Sequence, residues 1–92
     1  MKKFVIERHL PGASNLSPEE LQAMSQTSIE VAGQLGEPYI WIQSFVTGDK
    51  IYCIHIAESE ATVRRHSKLA DFPINTISEV AVVIDPLTSN PL

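Results

Sequence analysis

Residues 37–58, EPYIWIQSFVTGDKIYCIHIAE, decide the fold. Two runs rich in β-branched and aromatic residues, 39–47 and 50–57, flank Gly48-Asp49, so the stretch reads as an antiparallel hairpin. Upstream, SPEE opens a helix. Ser17 can cap it, Pro18 suits its first position, Glu20 completes a capping box, and Gly36 offers the stop. Downstream, Ser59 caps a second, shorter helix over about 60–71, which Pro73 prevents from continuing. KFVIERHL, residues 3–10, alternates as a first strand. INTISEVAVVID, residues 74–85, reads as a last one, and PLTSNPL, residues 86–92, as a loop or fraying tail.

The order β-α-β-β-α-β in 92 residues predicts a single α+β domain over 1–92 with the ferredoxin-like arrangement: a four-stranded antiparallel sheet with both helices on one face. Hydrophobic residues make up 43% of the chain and charged residues 20%, ordinary globular values. A chain this short builds a thin core, so a partner subunit is expected. The net charge of −4 argues against a nucleic-acid surface. The compact basic group, Arg64, Arg65 and Lys68, is flanked by Glu58 and Glu60 and reads as a solvated helix face. One cysteine excludes an internal disulfide and a cysteine-based zinc knuckle. MKKFVIER has no apolar run behind its lysines, unlike a secretory leader, and no stretch has the length of a membrane span. The expected location is the cytoplasm.

Helices on one face of a sheet call for an apolar side on every strand. Taking the greasier side of each gives Phe4, Ile6, Ile40, Ile42, Val46, Ile54, Ile56, Val80, Val82 and Ile84 beneath the helices. The opposite face then collects Val5, Glu7, His9, Trp41, Gln43, Phe45, Ile51, Cys53, His55, Ile77, Glu79 and Ala81. With the first strand between the third and fourth, Glu7 and His9 sit centrally, flanked by His55 and Glu79. A mixed aromatic and polar face of this kind suits packing against a second copy, in a barrel-like dimer whose cleft Trp41, Gln43, Phe45 and Cys53 line. Ionisable residues enclosed there would pair, bind a cation or shift their pKa values.

FVIERHLPG, WIQSFVTGDKIYCIHIAESEATVRRH and FPINTISEV carry a resemblance. Together they resemble a family of small ferredoxin-like proteins classed as a domain of unknown function, which includes nickel-binding members. The matching pieces are Glu7-Arg8, Trp41 and Ser44, Tyr52-Cys53, then Glu60, Arg64 and His66, Phe72-Pro73, and Ser78-Glu79-Val80, so the likeness runs from about Phe4 to Val80. It implies a ferredoxin-like monomer, a sheet-to-sheet homodimer, and nickel or another divalent metal as ligand. Gln43 stands where the resemblance leads one to expect histidine, and His55-Ile56 where it leads one to expect Tyr-Glu.

Imidazole suits Ni²⁺ or Zn²⁺ and carboxylates can complete a site, which makes His9, His55, Glu7 and Glu79 the expected ligands, assembled across strands. The alternatives for them are paired or solvated side chains. His66 is a ligand candidate by the resemblance. By position, on a helical stripe with Val63 and Ala70, it reads as a packing histidine bonded to backbone. Cys53 is either a small core residue or a soft ligand. Cys53 and His55 lie two apart on one strand, about 7 Å between Cβ atoms, too far for a nucleophile and its base. No phosphate loop or dinucleotide glycine pattern occurs, so no organic cofactor is expected, and no catalytic residue is assigned. The leading expectation is a cytoplasmic homodimer that binds a divalent metal, nickel for preference, in its sheet cleft. The alternative is a cofactor-free dimeric barrel enzyme, monooxygenase- or isomerase-like, acting on a small apolar molecule. In it His55 or Glu7 is the acid or base, and Trp41 and Phe45 hold the substrate. A structural dimer without ligand is the third reading.

Overall fold

The computed structural model describes all 92 residues, Met1–Leu92. Its strands are β1 (Lys2–His9), β2 (Tyr39–Val46), β3 (Lys50–Ala57) and β4 (Thr76–Glu79); its helices are α1 (Pro18–Gln34) and α2 (Glu60–Ala70). The four strands form one antiparallel sheet in the order β2-β3-β1-β4. This is the expected ferredoxin-like topology.

Local chemistry sets the element ends. Ser17 Oγ accepts from the Glu20 N–H, the Glu20 carboxylate accepts from the Ser17 N–H, and Pro18 opens α1. At the other end Gly36 takes the left-handed conformation, φ 73°, that lets the chain leave the helix. Ser59 caps α2 through the Thr62 N–H, and Asp71, at φ 59°, ends it. The hairpin closes between Thr47 and Lys50, whose backbones bond at 2.8 Å, leaving Gly48-Asp49 as the turn.

Register fixes which side chains meet the helices. Phe4, Ile6 and Arg8 of β1 are buried, and their β3 partners are His55, Cys53 and Ile51. The inner face of β3 is therefore Ile51, Cys53, His55 and Ala57, while Tyr52, Ile54 and Ile56 point the other way. This reverses the expected phase of β3. Both sides of that strand are apolar, and apolarity selects the core side only when the other side is wet. On β2 a bulge between Trp41 and Gln43 shifts the phase by one residue, so Tyr39, Trp41, Ser44 and Val46 share the inner face, opposite Ala57, His55, Cys53 and Ile51. Val46 is on the expected side. Ile40 pairs with Ile56 and Phe45 with Tyr52 on the open face, so Ile40 and Trp41 have exchanged the faces expected of them.

The last strand is shorter than expected. Glu79 pairs with Phe4, the Val80 N–H reaches the Lys3 carbonyl, and β1 then runs out at Lys2. Residues beyond Val80 leave the sheet, so Val82, Val83 and Ile84 are 61–75% exposed instead of lying beneath the helices. The Cα radius of gyration, 14.4 Å, reflects this projecting arm, since a compact chain of this length has about 12 Å.

Sixteen residues are buried, and six of them are polar: Arg8, Ser28, His55, Thr62, His66 and Ser67. The apolar core is thin, centred on Phe4, Ile6, Ile51, Cys53 and Val63. No helix is long and apolar enough to cross a membrane.

Candidate functional site

The sheet divides the chemistry into two groups, one on each face of β1. Strand alternation turns Glu7 and His9 to the open face and Arg8 to the interior.

On the open face His9 Nε2 lies 3.3 Å from one Glu7 carboxylate oxygen, and Lys50 Nζ lies 3.3 Å from the other. Hydrogen bonds from Lys50 and Tyr52 hold the Glu7 carboxyl below its usual pKa, and Glu7 in turn raises that of Lys50. Asn75 fixes this end of the strand. Its N–H donates to the Glu7 carbonyl, and its side-chain oxygen accepts from the His9 N–H at 2.7 Å. On the edge strand β2, Ile40 and Phe45 of the open face and Ile42 at the bulge are each about half accessible.

Inside, Tyr39, His55 and His66 form a ring cluster. Tyr39 stacks on His66 with centroids 4.5 Å apart, and His55 meets both edge-on at 5.2 and 5.3 Å. Tyr39 Oη and His55 Nδ1 share a hydrogen bond. His66 Nε2–H donates to the Ser28 carbonyl at 3.0 Å, which leaves His66 Nδ1 unprotonated, buried and without a partner. Burial pushes the His55 pKa down to about 3, helped by the charges that His66 and Arg8 can carry. Burial likewise lowers His66, also against the Arg8 charge, and raises the Tyr39 phenol. All three side chains are therefore neutral near pH 7.

Beside them lies Arg8, 4% exposed. Its Nε donates to Cys53 Sγ at 3.4 Å, and its Nη1 to Ser67 Oγ and the Pro73 carbonyl at 3.0 and 2.8 Å. The guanidinium carbon sits 5.4 Å from the centroid of the Phe72 ring. Between α1 and the inner sheet face is a part-enclosed pocket of about 170 Å³, which Arg8, Met24, Trp41, Cys53 and His55 help to line.

The structure thus separates the residues expected to converge. Glu7 and His9 are together on the open face, with Gln43 and Phe45 also on that side. His55, expected beside them, is 1% exposed and lies under the helices because β3 takes the opposite phase. Cys53 moves inside for the same reason and Trp41 through the phase of β2 about its bulge, and both line the interior pocket rather than a cleft on the open face. Glu79 pairs across from Phe4, on the side opposite Glu7, and contacts Lys2 at 3.7 Å on the rim. His66 is buried and bonded to backbone, as its helical stripe suggests. No three His, Cys, Asp or Glu side chains in the chain are grouped to share one ion.

Arg8, Tyr39 and Ser28 belong to the interior group, and none of them was expected at a site. Arg8 alone was legible: the alternation that places Phe4 and Ile6 inside places it inside too.

The family model described as "Nickel responsive protein SCO4226-like" matches residues 4–80. The crystal structure of SCO4226 from Streptomyces coelicolor A3(2) superposes with a TM-score of 0.76 at 20% identity, over 89% of this chain and 99% of that one. At that identity the likeness is one of fold. No curated protein matches the chain.

Proposed function

The chain belongs to the nickel-responsive SCO4226-like family, and we propose that it binds a divalent metal, nickel for preference, through Glu7 and His9 on the open face of its sheet. One observation carries the reading: an imidazole and an ionised carboxylate 3.3 Å apart, held on adjacent outward positions of one strand by Asn75. Both are ligand types that nickel accepts. Lys50 keeps Glu7 ionised in the free protein and yields its contact to the incoming cation. The interior histidines are poorer candidates. Burial is the main cause of their lowered pKa values, and the Arg8 charge that adds to it also opposes a second cation beside them.

Two donors are half a coordination sphere, and a second copy can supply the rest. Ile40, Ile42 and Phe45 on β2, and Val82, Val83 and Ile84 on the projecting arm, are apolar surface suited to burial in a homodimer. Such a dimer joins open face to open face and brings two Glu7–His9 pairs into one enclosure. The proposed setting is the cytoplasm, where the lone Cys53 thiol stays reduced.

Calorimetric titration of untagged protein with Ni²⁺ tests this. The expected result is saturable binding that is lost in His9→Ala and strongly weakened in Glu7→Gln, while His55→Gln binds as the parent does. Equal binding by the parent and His9→Ala would refute it.

A second reading is favoured by the pocket beneath α1. An enzyme or binding protein for a small apolar molecule would use Trp41 and His55 there, on the inner face, and Glu7 and Phe45 would have no part in it.

A further inference from the structure

Lys2, Lys50, Arg64 and Arg65 each have a carboxylate between 3.1 and 3.7 Å away. Arg8, the most deeply buried cation, has none. Its donors are met by a thiol, a hydroxyl and a carbonyl, and Nη2 is buried with no partner. An arginine cannot shed its proton, and an uncompensated charge in a protein interior is strongly unfavourable. An anion in the pocket that Arg8 lines would compensate that charge.

We propose that this pocket binds a small organic monocarboxylate, its carboxylate toward the Arg8 guanidinium and its apolar body among Leu21, Met24 and Trp41. Size supports a compact body. The pocket holds about 170 Å³, and an engineered protein cavity of roughly 150 Å³ accommodates a benzene ring. Charge selects a monoanion. No second lysine or arginine lines the pocket, so a phosphate dianion would keep one charge uncompensated. Ser28 and Ser44, also on the wall, can contribute hydroxyl donors to the second carboxylate oxygen. His55 lines the same space as a neutral imidazole, and a bound anion would favour its protonated form. The site lies across the sheet from Glu7 and His9, so it is independent of the metal reading and its test does not involve nickel.

The test is a titration of the untagged full chain, followed by amide chemical shifts and calorimetry, with benzoate and its neutral isostere benzamide. Benzoate is expected to bind one per chain, with benzamide weaker by roughly ten- to hundredfold, the worth of one hydrogen bond between charged groups. Arg8→Met is expected to abolish that preference. Because Arg8→Met also removes three hydrogen bonds, Met24→Trp, which fills the pocket from α1 and leaves Arg8 in place, is the second variant. It is expected to lose benzoate binding while keeping the parent's far-ultraviolet spectrum. No saturable binding of benzoate, benzamide binding as well as benzoate, or undiminished benzoate binding by Met24→Trp would each overturn the proposal.

Discussion

Lowering the pH from 7 to 5 is expected to destabilise the folded chain by about 2 kcal/mol through His55 alone. The side chain is 1% exposed, and its folded pKa is about 3 against 6.5 for the unperturbed group. Between those two values a proton binds the unfolded chain and is refused by the folded one. Stability is therefore complete above 6.5 and falls as the pH falls through the window. Weighting the unfolded state by its protonation at the two pH values, at about 1.4 kcal/mol per unit, gives the figure. His66, lowered in the same direction, adds to it. Glu7, a carboxyl whose folded pKa is depressed below 4.5, loses its contribution only at lower pH, outside this range. Urea denaturation at the two pH values measures the difference. His55→Gln, which can still accept from the Tyr39 hydroxyl, is expected to show a slope smaller by about the same 2 kcal/mol. A parent chain equally stable at both pH values, or a His55→Gln variant with the parent's slope, would refute the placement of His55 beneath the helices. Histidine ring proton shifts give a second readout, since the His55 signal is expected to hold its position down to pH 5.

Two further outcomes follow from the packing. Ile6 is fully buried at the centre of the core, so Ile6→Ala is expected to cost 2–5 kcal/mol, an order-of-magnitude range read from the denaturation midpoint. Phe45, half exposed on the open face, is expected to tolerate Phe45→Glu in the folded monomer. Sedimentation should show the proposed dimer dissociating to monomer in that variant, and an unchanged sedimentation coefficient would place the interface elsewhere.

Element order was legible because its signals are local. The Ser17–Glu20 box, the Ser59 cap, the Gly48-Asp49 turn and Pro73 each act within a few residues of where they stand. Face assignment on β1 was legible too, since Phe4 and Ile6 contrast with Glu7 and His9. β3 offers no such contrast: Ile51 and Cys53 compete with Ile54 and Ile56, and a sheet apolar on both faces gives alternation nothing to choose by. On β2 nothing in Trp41-Ile42-Gln43 announces the bulge that inverts the phase. At the end of β4 the limit is non-local, set by where β1 starts. The phase of β3 moved His55 and Cys53 away from the Glu7–His9 pair, and the bulge moved Trp41. β4 took the phase that pairs Ile77 with Ile6 and Glu79 with Phe4, so both Ile77 and Glu79 leave the open face on which they were expected. Arg8 is a different case, a charged residue in an apolar phase, where the pattern was clear and the residue type argued against it.

The most direct test of metal binding at Glu7 and His9 is the X-ray absorption spectrum of the nickel-loaded, untagged protein. The account predicts nitrogen and oxygen neighbours with the outer-shell scattering of imidazole, a signature that disappears in His9→Ala and persists in His55→Gln. A sulfur neighbour, which only Cys53 or a methionine could supply, or a spectrum unchanged by His9→Ala, would contradict it.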